Sequence, residues 1–333
     1  MTDLTAVPTY KDRTVGLIVV GILEICLALL CLLNLGVMAI AVFAVKAQTA
    51  MPQTTNARTM MGAGLFYLIL AAFFGTMGIG TMRARRWART LMLVVSWMWL
   101  VVGAFSSILM VFILPKMLGS IERAAGPAGG PGITTFMTGC MFVILGLVYI
   151  ALPAILVLFY RGPNVKATVE AKDPSVPWTD RTPAPVLALS LLLGYGAVAS
   201  LIGISYGAFP LFGRIISGIP AVLGFIFMAV LSAILAVAVY RRRPAAWWTL
   251  AGLWVLGCVS TAFFFVGGGL DMRELYEAMG MANPELERMG IYDIWKNPAV
   301  LILMAVGMLA WFGYLLWVRK FFRPAEDLSA PFA

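Results

Sequence analysis

The chain has 333 residues, 62% of them hydrophobic and only 12% charged, with a mean hydropathy of +0.94. A soluble domain is about half apolar and about a quarter charged. This much apolar surface cannot be hidden in one core of a 36.0 kDa protein, so a soluble enzyme, a disordered chain and a collagen-like fibre are excluded. The net charge is +9, but the basic residues cluster at the ends of apolar runs, a membrane pattern and not a nucleic-acid footprint. No histidine is present. The sequence thus lacks the commonest general base and the commonest metal and haem ligand, and no metal or cofactor is expected.

Eight segments reach the about 20 apolar residues that a helix needs to cross a bilayer. The first, Val15 to Ala44, reads as a retained signal anchor, since it lacks a short apolar core ending in a small-residue cleavage site. It holds Glu24, the only acidic residue inside any predicted span. Counted from Val15, Glu24 falls near mid-membrane, where a carboxyl is costly and turns toward a helix or a wet cavity. Gly21, Glu24, Ala28 and Cys31 share one helical face, so Glu24 is expected between helices and neutral. Asn34, further along, is expected to hydrogen-bond across to another helix.

The second span is Met60 to Met82 and the third Thr90 to Leu114, joined by a basic turn with Arg83, Arg85, Arg86 and Arg89. Gly64, Ala71, Gly75 and Gly78 form a small-residue stripe on the second span, suited to close packing. The loop after Lys116 is rich in Gly and Pro and reads as flexible after a short helical start. The fourth span, Thr135 to Tyr160, contains Pro153, which predicts a kink. Residues 161–184 carry four prolines and mixed charge and read as a linker.

The fifth to eighth spans are Pro185–Tyr206, Gly218–Tyr240, Trp247–Val266 and Ala299–Val318. A second basic turn, Arg241, Arg242 and Arg243, separates the sixth and seventh. Each half therefore has its basic turn between its second and third spans, its longest external loop between its third and fourth, and an aromatic-Arg end. The layouts repeat at an offset of roughly 160 residues, and an even span count makes such repeats parallel. The expected architecture is an all-α integral membrane protein of two tandem, parallel four-helix repeats. They comprise residues 1–160 and 185–318, with a cytoplasmic linker at 161–184 and a cytoplasmic tail at 319–333.

Lys and Arg divide 16 to 8 between the two sides, accounting for all 24. The richer side is cytoplasmic, so both termini are expected in the cytoplasm of an inner or plasma membrane protein. Trp87, Trp247, Trp248, Trp295, Trp317, Tyr160 and Tyr240 read as interfacial belt residues. The last external loop should form two short amphipathic helices bearing Asp271, Glu274, Glu277, Glu285, Glu287 and Asp293. Such an acidic cap could dock a partner or hold a divalent cation, or simply be solvated. The cysteines Cys26, Cys31, Cys140 and Cys258 read as buried, unpaired hydrophobes.

Nucleotide-loop, esterase and zinc-protease motifs are all missing from the sequence. Three function classes follow. The first is a non-enzymatic subunit, scaffold or partner-binding protein, whose partners are the bilayer and other membrane subunits, with no nucleic acid. The second is a small proton-linked transporter or channel using Glu24. The third is a lipid-acting membrane enzyme.

Overall fold

A computed structural model describes residues 10–47, 57–125, 131–265, 271–282 and 284–322. Among the described residues, eight helical segments are long and apolar enough to cross a membrane: Thr14–Ile40, Met60–Met82, Arg86–Pro115, Thr135–Arg161, Ala184–Tyr206, Ile219–Tyr240, Pro244–Phe263 and Pro298–Phe322. Eight runs were expected, and their ends agree to within a few residues. Because each run is apolar around its circumference, bilayer hydrocarbon and not one soluble core is its natural surroundings. The outward residues bear this out, with Leu33, Val101, Ile155 and Leu223 all well exposed.

The helices are α1 (Thr14–Ala47), α2 (Ala57–Met82), α3 (Arg86–Ala125), α4 (Pro131–Gly146), α5 (Leu152–Arg161), α6 (Pro163–Lys172) and α7 (Ala184–Gly203). They continue with α8 (Ile219–Tyr240), α9 (Pro244–Phe265), α10 (Met272–Ala278), α11 (Pro284–Arg288) and α12 (Pro298–Val318). The fourth span is α4 and α5 joined by one wide π-helical turn, Leu147–Ala151. That turn ends two residues before Pro153, whose missing N–H and bulky ring cannot continue a regular ladder. The irregularity expected from the proline is therefore an expanded turn just ahead of it.

Antiparallel pairs α1–α2 and α7–α8 form the most extensive helix contacts. Gly21 and Gly78 face each other across the first pair. A Cβ on Gly78 would stand 2.7 Å from the Gly21 carbonyl oxygen, so the backbones touch where two glycines meet. The small-residue stripe of α2 is thus a packing seam. In the second pair, the Ser190 hydroxyl donates to the Ala236 carbonyl at 2.8 Å.

Buried side chains gather in two clusters. One joins Leu17, Phe74, Met77, Met92, Leu156 and Tyr160. The other joins Val186, Leu189, Leu235, Val239, Leu315 and Val318. Both lie toward the ends of the spans that carry the basic turns, called here the basic end.

The two basic turns have the same backbone. In the first, the N–H groups of Arg83, Ala84 and Arg85 donate to the carbonyls of Ile79, Thr81 and Gly80. In the second, Arg241, Arg242 and Arg243 donate to Val237, Val239 and Ala238, each atom 158 positions beyond its counterpart. Ala84 and Arg242 share a positive φ, 51° and 54°, the left-handed turn that closes each helix without a glycine.

Other connections take definite forms. The link between the fifth and sixth spans is a β-hairpin, β1 (Ala208–Leu211) with β2 (Arg214–Ser217), turning at Phe212 and Gly213, both at positive φ. The Phe-Gly pair does not carry the usual Asn-Gly signal, so the turn is invisible to simple rules. The helix α3 runs on to Ala125, the helical start expected of the external loop, and α4 resumes at Pro131, with 126–130 outside the described residues. The expected cytoplasmic tail lies almost wholly outside them too, since description stops at 322.

The 161–184 segment is folded against the bundle. It contains α6, and its carboxylates grip the first basic turn. Asp173 accepts from the Arg86 backbone N–H at 3.2 Å, and Asp180 accepts from the Arg86 guanidinium at 2.9 Å and the Thr90 hydroxyl at 2.7 Å. The Ser175 hydroxyl, then the Arg86 N–H and the nearby Arg85 and Arg86 charges, hold the Asp173 carboxyl below its ordinary range. It is therefore ionised at neutral pH and keeps this contact. The N-terminal segment docks on α6, where the Arg13 N–H donates to Thr168 at 3.0 Å and the Lys172 ammonium to Thr14 at 2.5 Å.

Candidate functional site

Glu24 is 1% exposed, the one carboxylate sealed inside the spans among the described residues. The Gly21–Gly78 contact brings α1 against α2 one turn before it, which leaves no room for Glu24 to turn to lipid. Its partner comes from the fourth span: the Tyr160 hydroxyl donates to Glu24 Oε1 at 2.5 Å. Tyr160 is fully buried, and its oxygen lies 3.0 Å from the Thr81 hydroxyl. With the tyrosine proton given to Glu24, Thr81 is the donor of this second bond. A chain of three polar groups, Thr81 to Tyr160 to Glu24, thus ties α2, α5 and α1 together. Glu24 Oε2 is buried with no partner.

The depth of the site differs from the expectation. Tyr160 is the residue before Arg161, and Thr81 is two residues before Arg83. Glu24 is level with both, so it sits near the basic end and not at mid-membrane. The reason is the length of α1, 34 residues, whose first turns project past the other spans to meet α6. At about 1.5 Å per residue such a helix exceeds the about 30 Å hydrocarbon core, and counting from its first apolar residue misplaces the site.

Two members were missed in the sequence. Tyr160 was read as an interfacial belt aromatic, and Thr81 was not singled out. A signal existed for Thr81, since it continues the Gly75–Gly78 stripe by three residues onto the same face. Tyr160 had none, because end-of-span tyrosines usually face the interface. Trp247 is another belt residue found in the core, 5% exposed, its indole N–H donating to the Leu315 carbonyl at 2.8 Å.

The other singled-out residues do not join this site. Asn34 faces outward and returns its amide to the Leu30 carbonyl of its own helix at 2.9 Å, so it satisfies itself and does not bridge helices. Cys26 and Cys140 are exposed and Cys31 and Cys258 half-buried, all four free thiols and none in a core as expected. Arg83, Arg85, Arg241, Arg242 and Arg243 are exposed, whereas Arg86 is drawn into the linker carboxylates. Arg89 is half-buried, with its Nε unpartnered.

At the opposite end, the acidic cap neutralises part of its own charge. Arg273 binds Glu277 at 3.0 Å and Glu287 at 2.8 Å. Asp271 caps α10 by accepting from the Arg273 N–H, and Asp293 pairs with Lys296 at 3.1 Å. Glu274 lies in the first turn of α10, and the Glu285 side chain lies outside the described residues. No cluster of three metal-ligating side chains occurs among the described residues.

Comparison with protein-family models, curated proteins and solved structures finds no match for this chain.

Proposed function

We propose that this multi-pass membrane protein is a non-enzymatic subunit or scaffold that holds another membrane protein, with Glu24, Tyr160 and Thr81 as a structural latch. The latch carries the reading. A carboxyl bonded to neutral hydroxyls, sealed from solvent and level with the helix ends, fastens three helices and offers no open route. Burying a charge there without a cation would cost far more than burying a neutral acid, so the carboxyl is carried protonated. Beyond the basic end the spans keep broad apolar faces outward, available to lipid or to a partner's helices.

Native mass spectrometry of the protein extracted from its own membrane tests this reading. One transmembrane partner at fixed stoichiometry is the expected result. Purified protein that alone dissipates a pH gradient across liposomes would overturn it in favour of the second reading, proton-linked transport. The unpartnered Glu24 Oε2 is the observation that favours this alternative, since it is where a transferable proton would sit.

The basic end is assigned to the cytoplasm of the inner or plasma membrane, on the 16-to-8 division of Lys and Arg. In a cysteine-free background, a single cysteine at position 85 or 242 should be labelled by an impermeant maleimide only after the membrane is opened. Labelling in intact cells would invert the topology.

The two halves are read as parallel tandem repeats. The matched basic turns at an offset of 158 support this, as do the two core clusters, in which Met77 and Met92 correspond to Leu235 and Leu250. The same offset takes Thr81 to Val239 and Tyr160 to Val318, both buried. Across the first helix pair, Gly21 meets the turn of Gly78 as Ser190 meets Ala236, 169 positions on, which takes Glu24 to Leu193. The latch positions of the second half are thus apolar, so only the first half carries the polar device.

A further inference from the structure

Toward the end away from the basic turns, α3, α9 and α12 line a groove of about 510 Å³. Its walls include Phe105, Gly257, Met304 and Gly307, and its floor is closed by Trp254 and Trp311. Trp254 stacks on Phe312 at 4.4 Å, which fixes the floor. Trp295, from the external loop, stands at the mouth.

The dimensions suit one occupant. From Val300 to Trp311 the groove follows eleven residues of α12, about 16 Å at about 1.5 Å per residue. That is half of the about 30 Å hydrocarbon core, the depth of one leaflet. The volume is ample for one long acyl chain. In a bilayer such a groove cannot hold water, because its lining offers almost no polar partner.

Beside Trp295 the loop carries a pair of opposite charges. Asp293 and Lys296 flank Trp295, 3.1 Å apart and largely exposed. Opposite charges at one headgroup position match a phosphate and an ammonium together, and an anionic headgroup would meet Asp293 unfavourably. We propose that the groove between α3, α9 and α12 is a binding site for one acyl chain of a zwitterionic phospholipid of the leaflet opposite the basic end, its headgroup at Asp293 and Lys296.

The full-length protein in liposomes is photolysed with trace phosphatidylethanolamine bearing a diazirine midway along one palmitoyl chain, and the adducts are mapped by peptide mass spectrometry. Residues 254–261 and 303–311 should carry about tenfold more label per residue than the exposed face of α8 over 223–234, equivalent to about 1.4 kcal/mol of preference. Gly257→Leu should lower groove labelling by about as much and leave α8 unchanged, since a Cβ at Gly257 meets nothing within 4 Å and the side chain enters the groove. Even labelling of groove and α8 would overturn the site, and the wild-type ratio alone is enough to decide this. Undiminished groove labelling in a folded Gly257→Leu protein would overturn it as well. Phosphatidylglycerol with the same chain should label the groove several-fold less, and equal or stronger labelling would overturn the headgroup assignment.

Discussion

Glu24→Gln should express, fold and unfold thermally like the native protein, whereas Glu24→Leu should lose about 1 to 3 kcal/mol of stability. Glutamine keeps the oxygen that accepts from Tyr160 and places an amide where Oε2 now stands without a partner. Leucine takes away the Glu24 acceptor, leaves the Tyr160 hydroxyl only Thr81 to bond, and breaks the only polar tie between α1 and α5 among the described residues. Thermal unfolding of the two variants in one detergent measures the difference. Equal stability of Glu24→Leu and the native chain would remove the latch. The pair also separates the two functional readings. A purely structural Glu24 tolerates glutamine in a partner-assembly or flux assay alike, while a proton carrier loses flux in Glu24→Gln with its fold intact.

Gly78→Ala should be clearly destabilising. The added methyl would lie 2.7 Å from both the Gly21 carbonyl oxygen and the Ile25 side chain, and a backbone oxygen within a helix cannot yield. The α1 helix must move away from α2, which also draws Glu24 from Tyr160. Overpacking of this kind costs about 1 to 3 kcal/mol, and loss of the hydrogen bond adds to it. Gly194→Ala is the control. It also lies in a span, but nothing stands within 4 Å of its new methyl, so it should be neutral or gain up to about 1 kcal/mol from helix propensity. Similar melting temperatures for the two variants would show that the Gly21–Gly78 approach does not limit the α1–α2 packing.

The sequence by itself determined the number of spans, their approximate ends and the separation of basic and acidic loops, because hydrocarbon thickness and backbone hydrogen bonding act on each helix alone. Burial of Glu24 between helices was legible for a similar reason, since Gly21 and Ala28 on its face announced a close neighbour. The identity of that neighbour was not. Thr81 and Tyr160 lie 57 and 136 positions beyond Glu24, and only the crossing of α1 with α2 and α5 decides that their hydroxyls meet it. The depth of the site was equally a tertiary matter. It depends on how far α1 projects toward α6, which is set by the docked 161–184 segment and by Thr168 and Lys172, not by the apolar run that began the count. Asn34 shows the same division: its polarity in a span demanded a partner, but whether that partner was another helix or its own Leu30 carbonyl depended on which way the face of α1 turned. Local physics acts through composition and period, whereas side-chain partners are chosen by helix packing, where a rotation of one residue along a face exchanges a neighbour for lipid.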